Sequence, residues 1–268
     1  MREPISTIVR RSTALLAAGA LSLVGTATAG AQAGLSPDWS GYVVQRTGVQ
    51  FDQVQASWRV PTASCAHNGL TSSLAWVGLG DATGLSQIGS GTDCTAGGSL
   101  GPPVAYAIAF WEILPLDEQY IPLDLEPGDL VHASVTVAGH EVTMTLNDLT
   151  RGWRFVRTAR RSRIDKTSAE WIVEDPETCP GPVLVSELCP EQPFAEFSTI
   201  TIFDARVRAT TGRSGAISSR AWSAIEREVI AGKRGQAPFV AAAPSRLKVD
   251  GTAFSVSRTH RPLPPEPV

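Results

Sequence analysis

Between residues 53 and 60 apolar and polar positions alternate without a break. Val54, Ala56, Trp58 and Val60 fall on one side, and Gln53, Gln55, Ser57 and Arg59 on the other. A period of two is the signature of a strand with one buried face. Short stretches rich in Val, Ile, Thr, Phe and Trp recur at 39–46, 73–79, 104–113, 130–137, 141–147, 152–157, 169–175, 194–204 and 252–258, and each predicts a strand. Pro61, Pro127-Gly128-Asp129, Ala138-Gly139 and Asn147-Asp148 supply turns between them. Only 219–230 departs from this texture: Trp222, Ile225, Val229 and Ile230 form an incomplete apolar stripe that predicts one short helix. Many short strands without a long helical rhythm predict an all-β chain, an antiparallel sandwich or barrel.

One predicted strand carries chemistry. In Ala169-Glu170-Trp171-Ile172-Val173-Glu174-Asp175, positions 170, 172 and 174 point to one side, so Glu170 and Glu174 share a face. Neighbouring carboxylates repel and lose hydration unless compensated, which is how acid-base groups are tuned. Outward carboxylates on a solvated rim are the structural alternative.

The N-terminus follows a different logic. Arg2, Arg10 and Arg11 precede an apolar run of small residues from Ala14 to Gly25, and Ala31-Gln32-Ala33 follows. This order predicts a signal peptide over 1–33 cleaved after Ala33, and therefore a secreted, extracellular protein. The Arg10-Arg11 pair leaves the twin-arginine and general secretory routes both open. No later segment predicts a membrane span. The remaining 235 residues suffice for one domain, expected over 34–259, with 260–268 as a flexible tail. Residues 1–33 hold three Arg and one Glu, so the expected mature chain has 20 basic and 25 acidic side chains. That balance argues against a nucleic-acid-binding surface. Export makes disulfides plausible for Cys65, Cys94, Cys179 and Cys189. A Cys179-Cys189 bridge closing a short loop, with Cys65-Cys94 as the remaining pair, is one of three possible connectivities.

Common hydrolase motifs are missing. Gly84-Leu85-Ser86-Gln87-Ile88-Gly89 lacks the spacing of a nucleophile elbow, and His67, His132, His140 and His260 form no close ligand set. No metal or cofactor is expected. Seven blocks occur instead in a telling order: Trp39-Ser40-Gly41-Tyr42, the Phe51 to Pro61 strand, Ala75-Trp76-Val77-Gly78-Leu79-Gly80, Ser86-Gln87-Ile88-Gly89, Trp111-Glu112-Ile113-Leu114-Pro115, Pro127-Gly128-Asp129 and the 169–175 strand. Phe194-Ala195-Glu196-Phe197 and Ala243-Pro244-Ser245 follow them. The set resembles the glutamic peptidases called eqolisins, peptidase family G1.

That resemblance implies a sandwich of two large, curved antiparallel sheets, a concanavalin-like jelly roll, with protein or peptide substrates lying across a concave face. It implies an acid endopeptidase with a glutamine and glutamate dyad, matched here by Gln87 and Glu174, with Glu170 as the close competitor of Glu174. Glu112 and Glu170 are expected to support the cleft or tune its field, and Trp76 and Trp39 to wall it. A monomer is expected. The chain departs from the family pattern at Gly80, where an aspartate is usual and Asp81 follows one residue late, and at Ser90-Gly91-Thr92-Asp93. These departures bear on supporting carboxylates, substrate preference and pH range. The competing reading is a secreted carbohydrate-binding sandwich or glycosidase, since Trp residues stack on sugars and paired carboxylates cleave glycosidic bonds.

Overall fold

The computed structural model describes residues 9–10, 32–65, 71–81, 83–95, 102–175, 178–179, 195–231 and 238–263, and every regular element among them is a strand. In chain order these are β1 (Val9–Arg10), β2 (Gln32–Ser36), β3 (Trp39–Gln45), β4 (Phe51–Arg59), β5 (Ala63–Ser64), β6 (Thr71–Leu79), β7 (Ser86–Thr95), β8 (Val104–Ile113), β9 (Gln119–Tyr120) and β10 (Leu130–Ala138). There follow β11 (Glu141–Asp148), β12 (Trp153–Arg160), β13 (Ser168–Glu174), β14 (Thr178–Cys179), β15 (Glu196–Phe197), β16 (Ile200–Ala209), β17 (Ser214–Ala216), β18 (Ser223–Ala231), β19 (Phe239–Pro244) and β20 (Phe254–Pro262).

One layer of the sandwich runs β12-β11-β10-β4-β16, and the other β20-β19-β18-β3-β13-β6-β7-β8-β9. Strand β16 belongs to both, pairing with β4 from Phe203 onward and with β20 through Ile200–Ile202. A register shift between Phe203 and Arg206, around Asp204 at φ 53°, marks the change of layer. Bulges of this kind bend a strand and let it turn a corner.

The inter-layer core is built from the alternating apolar positions. Val54, Ala56 and Trp58 of β4 meet Ala75, Val77 and Leu79 of β6 and Ala169, Trp171 and Val173 of β13. Buried indoles here need acceptors. Trp58 Nε1 donates to Ser90 Oγ at 2.8 Å, and Trp171 Nε1 to the Gln55 carbonyl at 2.9 Å, so both bonds tie one layer to the other. Trp171 is thus a core residue. Trp111 packs against the same core with the Arg157 guanidinium 4.9 Å from its ring centre.

Three expectations need correcting. The predicted helix at 219–230 is instead strand β18, antiparallel to β3 over Ser223–Arg227 and parallel to β2 over Ile225–Val229. An incomplete helical stripe lost to the pairing capacity of three neighbouring strands, β3, β2 and β19, and Ile225 and Ala224 fall on opposite faces. The supposed tail begins too early, because β20 continues to Pro262 and His260 packs its ring 3.8 Å from that of Phe239. Strand β7 was not anticipated, because its Ser-Gly-rich sequence lacks an apolar signature. Its glycines serve close packing: a Cβ at Gly89 would lie 2.2 Å from the Ala75 carbonyl oxygen and 2.6 Å from Trp76 Cβ.

A disulfide joins Cys65 and Cys94. Cys189 lies outside the described residues, and so does the expected Cys179-Cys189 bridge. Of the expected signal segment, Val9–Arg10 pairs with Thr178–Cys179, and a cut after Ala33 falls inside β2.

Candidate active site

The face of the larger layer that turns away from the inter-layer core collects the singled-out residues. Strand β7 pairs Gln87 with Glu112 of β8 on one side and with Gly78 of β6 on the other. Gly78 pairs in turn with Glu170 of β13, and Glu170 with Val43 of β3. Glu112, Gln87, Gly78, Glu170 and Val43 therefore form one row across five strands. A second row holds Phe110, Gly89, Trp76, Ile172 and Gly41, and a third Ile108, Gly91, Leu74, Glu174 and Trp39.

This register separates the two glutamates. Gln87 and Glu170 stand two strands apart in one row, about 10 Å between Cα atoms at the usual inter-strand spacing. Glu174 lies four residues further along β13, which adds about 13 Å along the strand axis. The sequence reading is right that Glu170 and Glu174 share a face, yet Glu170 stands in Gln87's row and Glu174 does not.

Every polar member is dry. Gln87, Glu112, Glu170 and Glu174 are each 3% exposed or less. Gln87 Nε2 donates to Glu112 Oε2 at 2.6 Å. Burial pushes the Glu112 carboxyl well above the usual carboxylate range; the Gln87 hydrogen bond opposes this, while Glu118, Glu174 and Asp117 add to it. The Ser168 hydroxyl donates to Glu170 Oε1 at 3.0 Å. Burial lifts Glu170 to about 8, against the opposing pull of that hydroxyl and of the Arg227 guanidinium. Trp76 Nε1 donates to Glu174 Oε2 at 2.6 Å, so this carboxylate anchors the indole. Trp39 meets Trp76 edge to face, with ring centres 5.6 Å apart.

Two acceptors in the Gln87 row find no donor among the described residues: Gln87 Oε1 and Glu170 Oε2. Between their strands sits Gly78, where a Cβ would come within 2.7 Å of Leu85 Cδ1 and 3.0 Å of Trp76 Cζ3. Glycine there lets Leu85 and the indole edge close over the middle of the row, between the two buried acceptors. Neither Gly78 nor Leu85 was singled out from the sequence. The signal for Gly78 was its place opposite Gln87 once 71–79 and 86–95 are paired as a hairpin. Among the described residues no three His, Cys, Asp or Glu side chains gather as a metal site would require.

Residues 37–231 match the Peptidase A4 family, the eqolisin or G1 peptidases. The chain belongs to this family. As an eqolisin it is a glutamic endopeptidase with protein or peptide substrates. Among solved structures the eqolisin fold is shared with scytalido-glutamic peptidase bound to a peptide-based transition-state analogue, at 27% identity and TM-score 0.65, over 83% of this chain and 98% of that one. It is shared with SCP-B, an eqolisin in complex with the tripeptide Ala-Ile-His, at 26% identity and TM-score 0.62 over the same shares. Aspergilloglutamic peptidase from Aspergillus niger, 22% identical with TM-score 0.50 over 70% of this chain and 99% of that one, has the same fold. No curated protein matches the chain. In this eqolisin Trp39, Trp76, Gln87, Glu112, Glu170 and Glu174 share one sheet face, whereas Trp111 and Trp171 pack against the inter-layer core.

Proposed function

We propose that the chain is a secreted endopeptidase working in weakly acidic solution, in which Gln87 and Glu170, rather than Gln87 and Glu174, hold and activate the attacking water. The observation that carries this reading is the shared row over Gly78, with one partnerless buried acceptor on each of the two side chains. Buried acceptors without donors are costly, and a water or substrate N–H between them relieves that cost. Secretion rests on the residue order of 1–33.

The chemistry follows from the two groups. Ionised Glu170 takes a proton from water as the water oxygen bonds to the peptide carbonyl carbon, and the carbonyl π pair moves onto oxygen. A Gln87 amide N–H stabilises that oxyanion while Glu112 fixes the amide's orientation. Glu170 then returns the proton to the departing nitrogen as the C–N bond breaks. The same carboxyl is base and then acid.

Ionisation is the controlled step. Under its apolar cover Glu170 is held to about 8 by burial, so it is neutral in weakly acidic solution. Substrate or solvent that displaces Leu85 supplies donors to Oε2 and lowers that value, releasing the base. The limb of kcat against pH, which reports the substrate complex, therefore lies below that of kcat/KM, which reports the covered free enzyme, and above the ordinary glutamate value of about 4.3.

Digestion of a denatured protein, with products read by mass spectrometry, tests the assignment. Glu170→Gln is expected to lose about 10²- to 10⁴-fold in turnover, and Gln87→Ala about 10²- to 10³-fold. Glu174→Gln keeps an acceptor for Trp76 and is expected to lose less. Full turnover by Glu170→Gln together with a dead Glu174→Gln would return the base role to Glu174. Sugar hydrolysis without peptide cleavage would favour the glycosidase reading.

A further inference from the structure

A cavity of about 500 Å³ adjoins the Gln87 and Glu112 end of the row. Gly84 and Ser86, on either side of Leu85, form one wall, and Ile113 and Leu114, directly after Glu112, form another. The third wall is the segment between β12 and β13, carrying Arg161, Arg163 and Asp165. The Leu114 N–H donates to the Leu85 carbonyl at 2.9 Å, which ties the first two walls together beside the row. Ser86 and Ile113 are paired one residue beyond Gln87 and Glu112. Their side chains turn to the inter-layer side, so the cavity lies at the ends of β7 and β8, about 3.4 Å beyond the row along the strands, the rise of one extended residue.

Its charge is unbalanced. Asp165 is already engaged: Oδ1 accepts from the Thr167 N–H at 2.8 Å and the Thr167 hydroxyl at 2.7 Å, and Oδ2 from the Asp81 N–H at 3.2 Å. Among the described residues neither Arg161 nor Arg163 has an ion-pair partner. The backbone of Arg161 is fixed by its N–H to the His140 carbonyl at 2.9 Å, and its side-chain Nε is buried without an acceptor. A guanidinium on an anchored backbone with a buried N–H to satisfy fits a carboxylate, because the fork matches two oxygens and each bond is charge-assisted.

We propose that this cavity is a substrate subsite for an acidic side chain within two residues of the scissile bond, and that Arg161, assisted by Arg163, sets that preference. The inference rests on the peptidase reading of the Gln87 row. An extended peptide with its reacting carbonyl over Gly78, running toward the end where Leu79, Ser86 and Ile113 pair, leaves the sheet face at the cavity by its first or second residue from the cleaved bond. A Glu or Asp side chain there meets the two cations, whereas the amide isostere offers one neutral acceptor and a repelled N–H donor.

The probe is a set of Ala-rich octapeptides carrying one Glu at each position in turn, with the Gln isosteres as controls, at pH 5.5 where a free Glu is ionised. Binding to the inactive Glu170→Gln protein by calorimetry and kcat/KM with the wild type are read separately. Glu is expected to be favoured over Gln by about tenfold in both at one position, and the ratio is expected to fall to near one in Arg161→Gln, with partial recovery in Arg161→Lys. A ratio near one at every position, or a ratio that survives Arg161→Gln with Arg163→Gln, would overturn the subsite. Partial misfolding of a variant lowers both peptides alike, so the ratio still reports the folded fraction and its substituted subsite. Selective binding without any cleavage by the wild type would support the subsite while sinking the peptidase reading.

Discussion

Replacing Glu170 with Gln isolates the energetic cost of a dry, ionisable carboxyl in the Gln87 row. Gln has the same shape, keeps an oxygen for the Ser168 hydroxyl and does not titrate. The native carboxyl is raised from the ordinary 4.5 to about 8 by burial. Because the folded value is raised, the stability it contributes is fully present below about pH 4.5 and is lost as pH climbs through about 8. In that window the unfolded chain has given up the proton and the native protein still holds it. Stability therefore falls with rising pH, at about 1.4 kcal/mol for each pH unit. Across the whole interval the loss is on the order of 5 kcal/mol. Glu112 and His132 also titrate abnormally, Glu112 upward and His132 downward, both chiefly through burial. Subtracting the Glu170→Gln curve from the wild-type curve removes what the two proteins share. The assay is urea unfolding followed by tryptophan fluorescence at several pH values from 4 to 9. A difference curve flat to within about 1 kcal/mol would refute the reasoning, because a carboxyl that titrates alike in both states stabilises neither.

Two further outcomes follow from the packing around the row and the sandwich edge. Leu85→Ala removes the methyl groups that close over Gly78, admits water to Glu170 and is expected to move the rising limb of kcat/KM to lower pH; an unmoved limb would show that Leu85 does not keep the carboxyl dry. Cys94→Ser opens the Cys65–Cys94 bridge, which spans a separation of 29 residues, and is expected to cost about 3–4 kcal/mol on the chain-entropy account. Chemical denaturation of the variant against the wild type measures it, and a loss under about 1 kcal/mol would mean that the unfolded chain is not constrained as supposed.

Period-two patterning was legible wherever a strand had one apolar face, because burial selects the residue type directly. So Val54, Ala56 and Trp58 of β4 and the shared face of Glu170 and Glu174 could be read from the chain alone. Ordered blocks around Trp76, Gln87, Glu112 and Glu170 likewise disclosed the family. Where local signals were weak, pairing decided. Strand β7 is glycine-rich because Trp76 and Leu74 press on it, and β18 is extended because β3 and β2 offer it hydrogen bonds. Both constraints come from neighbours distant in sequence. The same holds for the site. One strand's alternation says that two glutamates face the same way, but not which of them stands level with Gln87. That depends on the register of β13 against β6 and of β6 against β7, and a strand's own pattern repeats every two residues and so does not distinguish 170 from 174. Tertiary structure alone set Gln87 and Glu170 in one row, closed Leu85 over the glycine between them, and buried and so raised the carboxyl on which the proposed chemistry depends.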